Sequence, residues 1–213
     1  MSAIATPITP PSGTTTPPPL QPIPTTQVTQ VWPRLWKWTP DDYEKLGKAG
    51  FFTGRRVQLI RGEIIDMGIQ GPRHFTAILL TTKAVEAAFG VGYVIRPQGP
   101  IALDDSQPEP DVAVVPGSPR DYLVHPRTVL LAIEVSDSSL TYDLTTKAEL
   151  YAATGIPEYW VLDLETQRLL VFRDPVALPP GGHAYHTHLS FAVDESVTPL
   201  AATNPVAVAD LLP

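Results

Sequence analysis

The spacing of apolar side chains along the chain predicts three helices. Residues 74–89 place apolar side chains at helical intervals and end at a glycine, which predicts one long amphipathic helix. Thr39 precedes a proline and two aspartates, so it is predicted to cap a shorter helix. Asp143 is predicted to cap a third helix that runs through about residue 154.

Short apolar runs between clusters of Pro, Gly, Asp and Ser predict β-strands. Two runs flank Arg61-Gly62 and predict a β-hairpin over residues 57–67. The other predicted strands are residues 93–96, 101–103, 112–115, 129–135, 159–164 and 168–172. The remainder of the chain is predicted as edge strand and loop. This order predicts an α/β or α+β fold with a central mixed β-sheet flanked by helices.

The first 33 residues differ from the rest in composition. They contain nine of the 25 prolines and eight threonines, but no Asp, Glu, Lys or Arg. Such a tract buries too little apolar surface to offset its ordering entropy, so residues 1–33 are predicted to be a disordered Pro/Thr-rich tail. Residues 34–213 are then predicted to form one domain, with about 180 residues for a single core.

Composition excludes several classes of protein. The absence of cysteine excludes disulfides, thiolate zinc sites and cysteine nucleophiles, and it weakly favours a cytoplasmic location. The longest apolar runs are far shorter than the roughly 20 residues that a membrane helix needs. We therefore expect a cytoplasmic protein without a membrane partner.

The net charge of −7 is unevenly distributed along the chain. Residues 34–96 carry ten Lys and Arg against six Asp and Glu, whereas residues 97–213 carry five against sixteen. The negative net charge argues against an open surface that binds along DNA through positive charge. The split nevertheless fits one basic face and a separate acidic cluster.

Two acidic residues lie at positions where burial makes a carboxylate costly. Asp111 begins the predicted strand 112–115, and Glu134 lies within the apolar run 129–135. Two such acids close together would form a hard-oxygen site for Mg²⁺ or Mn²⁺. Their separation of 23 residues allows adjacent strands. Each acid also has a structural alternative. Asp111 could be an ordinary residue at the start of a strand, and Glu134 could belong to a structural ion pair.

Lys147 is the next cation along the chain. Its stem lies near the apolar face of the third predicted helix, from which it could reach the two carboxylates. There it would orient a water nucleophile or stabilise charge on a phosphate. The alternative is a surface ion pair with Asp143, four residues earlier.

Other common motifs are absent from the sequence or weak. The chain has no phosphate-binding glycine loop, no Gly-x-Ser-x-Gly elbow and no His-Glu-x-x-His motif. His183, His186 and His188 could form a metal site, but an exposed hairpin explains them more simply.

The sequence around these acids resembles a nuclease family. Pro110-Asp111, followed by Glu134-Val135-Ser136, resembles the PD-(D/E)-X-K nuclease core. More narrowly, the chain resembles the family named "putative restriction endonucleases", once a domain of unknown function and multi-copy in bacterial genomes. The matching motifs are Trp38-Thr39, residues 59–64, His74, residues 108–112, residues 134–139, Tyr142-Asp143, Lys147 with Tyr151, and residues 155–160.

The resemblance implies a fold, a reaction and a site. It implies a restriction-endonuclease-like fold, DNA as the substrate, Mg²⁺ or Mn²⁺ as the cofactor and a possible homodimer. Asp111, Glu134 and Lys147 would be catalytic, and Asp111 and Glu134 would bind the metal. In the superfamily pattern the lysine lies two residues after the Glu, where this chain has Ser136. The narrower family moves the lysine to the following helix, as Lys147.

Further residues are predicted around this site. Glu63 is a candidate third metal ligand, because related nucleases add an early acid; an exposed residue after a glycine turn is the alternative. The predicted phosphate contacts are Arg55, Arg56, Arg61 and Arg73, with solvated surface charges as the alternative.

The leading hypothesis is a metal-dependent DNA endonuclease. The main alternative is a catalytically silent nuclease-fold module that acts through partner proteins. A ribonuclease or repair nuclease with the same site is a third hypothesis.

Overall fold

A computed structural model describes residues 33–213. Residues 37–213 form one compact unit. Of the unit that precedes it, residues 33–36 are described, and they are exposed. The predicted tail, residues 1–33, therefore lies outside the described residues except for its last position.

The helices and strands follow the predicted order. The helical segments are α1 (Pro40–Lys48), α2 (Pro72–Phe89), α3 (Leu140–Tyr142) and α4 (Ala148–Ala153), with a π-helical turn (Asp143–Lys147) between α3 and α4 and two 3₁₀ turns (Pro119–Asp121 and Val208–Leu211). The strands are β1 (Val57–Ile60), β2 (Glu63–Asp66), β3 (Tyr93–Pro97), β4 (Val112–Pro116), β5 (Leu131–Ser136), β6 (Glu158–Asp163), β7 (Arg168–Ala177), β8 (His183–Phe191), β9 (Ser196–Val197) and β10 (Val206–Ala207).

Six of the strands form one mixed sheet in the order β3-β4-β5-β6-β7-β8. Strands β5 and β6 are parallel and are connected through the helical segment 140–153, whereas all other neighbours in this sheet are antiparallel. The predicted fold class, α+β with a central mixed sheet, is confirmed.

Helices cover both faces of this sheet. On one face α2 buries Ile78 and Val85 against a cluster that includes Ile133 and Trp160. On the other face α4 buries residues that include Tyr151. Because both faces are covered, all six residues of β5 and all six of β6 are buried. A polar side chain on β5 is therefore enclosed whichever face it points to.

The β1–β2 hairpin has the tight turn that its sequence predicts. Arg61 and Gly62 have φ angles of 50° and 72°, as a type I′ turn requires at both central residues. A Cβ atom at Gly62 would lie 2.8 Å from the Cβ of Lys37. Glycine is therefore needed there for space as well as for conformation.

The structure corrects two of the predicted elements. Residues 101–103 form no strand: Ile101 and Leu103 donate their backbone N–H groups to Pro108 and Ser106 within a packed loop. Asp143 does not cap a helix, since helical structure begins three residues earlier. Its carboxylate instead accepts hydrogen bonds from two serine hydroxyls. Among the described residues, no helix has the length and apolar character to cross a membrane.

Candidate active site

Asp111 and Glu134 come together because β4 and β5 pair in antiparallel register. Val112 pairs with Ile133, which brings Asp111 and Glu134 to the next opposite positions on the two strands. The backbone N–H of Val135 donates to Oδ2 of Asp111 at 2.8 Å, which fixes that carboxylate beside β5. Both acids are buried, with 4% and 5% of their surface exposed.

Lys147 reaches Glu134 from the helical segment that covers this face of the sheet. Its Nζ lies 2.7 Å from Oε1 of Glu134, and the hydroxyl of Tyr151 donates to the same oxygen at 2.7 Å. Lys147 is completely enclosed, so the predicted alternative of a surface pair with Asp143 is wrong.

Burial dominates the electrostatics of Glu134. It raises the pKa of this carboxyl from an ordinary 4.5 to about 7; the charges of Asp111 and Asp143 add to that rise and Lys147 opposes it. A buried ion pair contributes little net stability, because the desolvation of both charges offsets their attraction. A perturbed carboxyl beside a second acid in a pocket is a recognised signature of a functional site.

A clamp formed by Ser136, Ser139 and Asp143 holds the π-helical turn from which Lys147 extends. The hydroxyls of both serines donate to Oδ2 of Asp143, and burial raises the pKa of this carboxyl while the two hydrogen bonds oppose that rise. Single π turns occur frequently at functional sites. Ser136 thus supports the turn that carries Lys147.

Two basic side chains approach Asp111. Nε2 of His74, from the first turn of α2, lies 3.2 Å from Oδ2 of Asp111. Burial lowers the pKa of His74, but the hydrogen bond to Asp111 and its charge outweigh burial and raise it. The guanidinium of Arg56 lies 3.9 Å from Oδ1 of Asp111.

These groups surround a small pocket of about 80 Å³. Its lining residues are Arg56, Gln58, Met67, Ile69, Gln70, Gly71, His74, Asp111, Glu134, Asp137, Ser138, Ser139 and Asp143. Lys147 is not among them, so its ammonium lies on the enclosed side of Glu134. In this geometry Lys147 acts on the pocket through Glu134.

Several predicted site residues lie elsewhere. Glu63 does not line the pocket; its exposed carboxylate pairs with Lys37 at 2.5 Å, which corrects the expectation of a third acidic ligand. Arg61 pairs with Glu149 at 2.8 Å, also outside the pocket. Arg55 is exposed and lines no part of the pocket.

Two of the predicted arginines do lie at the pocket. Arg56 lines it, and Arg73 stands at its edge, 3.7 Å from Asp137, a lining residue. The structure therefore brings together Asp111, Glu134 and Arg56, with Arg73 at the rim.

The donor set fits Mg²⁺ or Mn²⁺. Oε2 of Glu134 accepts no hydrogen bond from residues 33–213, and Asp111 turns a second carboxylate toward the same pocket. Hard carboxylate oxygens are the ligands that these ions prefer. Within the described part of the chain, no group of three or more His, Cys, Asp or Glu side chains could hold a metal. His183, His186 and His188 therefore do not form such a group.

The fold and the paired carboxylates define a restriction-endonuclease-like protein. The profile of the family described as "Putative restriction endonuclease" (Uma2) matches residues 40–198, and the chain belongs to that family. The resemblance inferred from the sequence motifs is confirmed.

A solved structure supports the fold assignment. It is the crystal structure of a "putative nuclease belonging to DUF820" from Anabaena variabilis ATCC 29413, with a TM-score of 0.58 and 18% sequence identity. The match covers 81% of this chain and 96% of that one. At this identity the likeness shows the fold alone. No curated protein matches the chain.

Three residues of the site have no predicted role in its chemistry. His74 belongs to one of the matching motifs, and Gln58 is predicted only as a strand residue. Asp143 belongs to another matching motif and is predicted as a helix cap, with a surface ion pair to Lys147 as an alternative. A signal for Gln58 was present: it is an amide between apolar neighbours in a short strand. Nothing in the local sequence indicated that Asp143 would bind two serines.

Proposed function

We propose that this protein is a metal-dependent endonuclease that hydrolyses phosphodiester bonds in DNA. The observation that carries the proposal is the pair Asp111 and Glu134, two buried carboxylates on one face of the sheet that line a common pocket. Membership of the nuclease family supports the reaction class. The choice of DNA and of Mg²⁺ or Mn²⁺ is our inference.

Asp111 and Glu134 would hold the cation. When bound, Mg²⁺ or Mn²⁺ activates water and stabilises charge on the phosphate. Lys147 and Tyr151 both bind Oε1 of Glu134, which leaves Oε2 directed to the pocket. Lys147 favours the ionised form of Glu134 and so opposes the rise in pKa that burial causes, while it remains out of contact with the substrate. Lys147 is thus a positioning residue.

Asp111 is oriented by two further groups. The N–H of Val135 and Nε2 of His74 both contact Oδ2 of Asp111, whereas Oδ1 accepts one long hydrogen bond, from Nε2 of Gln70 at 3.5 Å, and is the oxygen more open to a ligand. Arg56 lies on that side of the carboxylate and has 27% of its side chain exposed. A guanidinium there would bind the scissile phosphate and place it against the cation.

The direct test is cleavage of supercoiled plasmid DNA with Mg²⁺, with Mn²⁺ and with EDTA. We expect nicking with either metal, none with EDTA, and a loss of about 100-fold or more in Asp111→Asn. Asp104→Asn is the matched control, because this aspartate is fully exposed and lies outside the pocket. Equal cleavage by wild type and Asp111→Asn would overturn the proposal.

A catalytically silent binding module is the second candidate. The enclosure of Lys147 favours it, since the ammonium does not line the pocket. This candidate predicts no cleavage of DNA with any metal. Parallel assays on RNA distinguish a ribonuclease from both.

A further inference from the structure

Gln58 lines the same pocket as Asp111 and Glu134 and has an unpartnered amide oxygen. This glutamine, in the middle of β1, has only 1% of its surface exposed. Its Oε1 is buried and has no hydrogen-bond partner among residues 33–213. The side chain nevertheless lines the pocket together with the two carboxylates.

The orientation of the Gln58 amide follows from its other contact. Nε2 donates to the backbone carbonyl of Glu109 at 3.3 Å. A carbonyl only accepts hydrogen bonds, so the group facing Glu109 is the NH₂ and the free atom is Oε1. Buried amide oxygens are rarely left without a partner, because desolvation without a hydrogen bond costs stability.

The backbone holds Gln58 in register with the segment that leads into Asp111. The next residue of β1, Leu59, accepts a backbone hydrogen bond from Gln107 at 2.7 Å. The amide of Gln58 itself binds Glu109, two residues before Asp111. These two hydrogen bonds hold the side chain of Gln58 beside the segment that leads into Asp111.

The chemistry of Oε1 restricts what it can bind. An amide oxygen only accepts, so it cannot contact a phosphate oxygen of DNA directly. Its neighbours in the pocket include Asp111 and Glu134, which are also acceptors when ionised. These three acceptors together suit a hard cation, and amide oxygens are ordinary ligands of such ions. Arg56 and His74 also line the pocket, and both lie against Asp111.

We propose that Gln58 is a neutral oxygen ligand of the divalent cation that Asp111 and Glu134 hold. The inference rests on the proposed function, since it assigns a third protein ligand to the same ion. It accounts for the unpartnered oxygen, and it fits the finding that no three His, Cys, Asp or Glu side chains among residues 33–213 are grouped so as to hold a metal. With only two charged ligands, the site holds its cation with lower affinity than a three-carboxylate site.

Calorimetric titration with Mn²⁺ of the full chain tests the assignment without relying on catalysis. Gln58→Met removes the amide but keeps its length, and we expect the dissociation constant to rise about tenfold or more. Gln58→Glu adds a charged ligand, and we expect affinity at least about tenfold higher than in wild type. Gln107→Met is the matched control, because Gln107 is 7% exposed and does not line the pocket.

Thermal unfolding with EDTA and with Mn²⁺ separates a ligand from a structural residue. A ligand at position 58 predicts that Mn²⁺ raises the melting temperature most in Gln58→Glu and least in Gln58→Met. A structural role predicts lower melting temperatures for both variants with wild-type Mn²⁺ affinity, which would overturn the assignment. If the wild type bound no Mn²⁺, the metal site and this assignment would both be overturned. If only this assignment is wrong, the wild type binds Mn²⁺ and both variants bind it equally well, so the two failures are distinguishable.

Discussion

The ammonium of Lys147 lies 2.7 Å from Oε1 of Glu134, and the lysine has no exposed surface. Two charges held out of water in this way depend on each other, since either one alone would be uncompensated. Replacing both by neutral groups would cost the fold little. Stability therefore does not account for the pair, whereas the proposed function does so through the pocket that Glu134 lines.

Replacing Lys147 with Met should affect both stability and activity. The change leaves the Glu134 carboxylate buried without its cation. Such a change typically lowers the free energy of unfolding by about 3–5 kcal/mol. We expect plasmid nicking to fall by about 100-fold, since the metal ligand takes up a proton more readily. Urea unfolding and single-turnover cleavage measure the two effects.

The double variant Glu134→Gln/Lys147→Met separates these effects. It removes both charges, so stability should return to within about 1 kcal/mol of wild type, whereas cleavage should not recover because the carboxylate ligand is gone. A double variant as unstable as Lys147→Met would show that the ion pair is not the source of the loss.

The serine clamp on Asp143 should matter for catalysis more than for metal binding. Ser136→Ala removes one of the two hydroxyls that hold Asp143. We expect kcat to fall about tenfold with unchanged Mn²⁺ affinity, because the turn carrying Lys147 loosens. Thr145→Ala is the control: Thr145 lies in the same π-helical turn but is exposed. Equal effects of the two substitutions would contradict a role for the clamp.

The pH dependence of stability should report the pKa of Glu134. Its pKa is about 7 in the folded protein against an ordinary 4.5. The unfolded chain therefore releases this proton first as the pH rises, and folded stability falls between about pH 4.5 and 7. Relative to Glu134→Gln, we expect the free energy of unfolding of the metal-free protein to fall by on the order of 3 kcal/mol across this pH window and not to fall further above it.

Urea unfolding in EDTA at closely spaced pH values measures this difference. Parallel stability curves for the wild type and Glu134→Gln would show that Glu134 titrates at its ordinary pKa.

Two adjacent arginines provide a matched test of DNA contact. Arg56 lines the pocket, whereas Arg55 is exposed outside it. We expect Arg56→Ala to weaken binding of a short duplex about tenfold and to lower the salt slope by about 1. Arg55→Ala should change neither. Fluorescence anisotropy at several salt concentrations checks this, and a larger effect at Arg55 would place the DNA elsewhere.

Periodicity was enough to predict most of the fold. The helical spacing of residues 74–89 and the Arg61-Gly62 turn are local signals, and both elements form as predicted. The prediction of a strand at residues 101–103 is wrong because an apolar, buried run can be a packed loop as well as a strand. Its apolar side chains fill the core while its backbone bonds within the loop.

The sequence predicted residues of the site only where a charged residue lies in or beside an apolar strand. Glu134 stood out because an acid interrupts a strand that is buried on both sides. Glu63 could not be excluded from the sequence, since its pairing with Lys37 depends on a contact between residues 26 positions apart. The π-helical turn at Asp143 likewise depends on the serines of the preceding strand and loop, which helix propensity does not encode.

Crystals grown with Mn²⁺ test the central claim most directly, through an anomalous difference map collected near the manganese edge. The account predicts one peak bonded to Asp111 and to Oε2 of Glu134, with Lys147 still bound to Oε1. An occupied manganese site elsewhere in the chain, with the pocket between these two carboxylates empty, would contradict it.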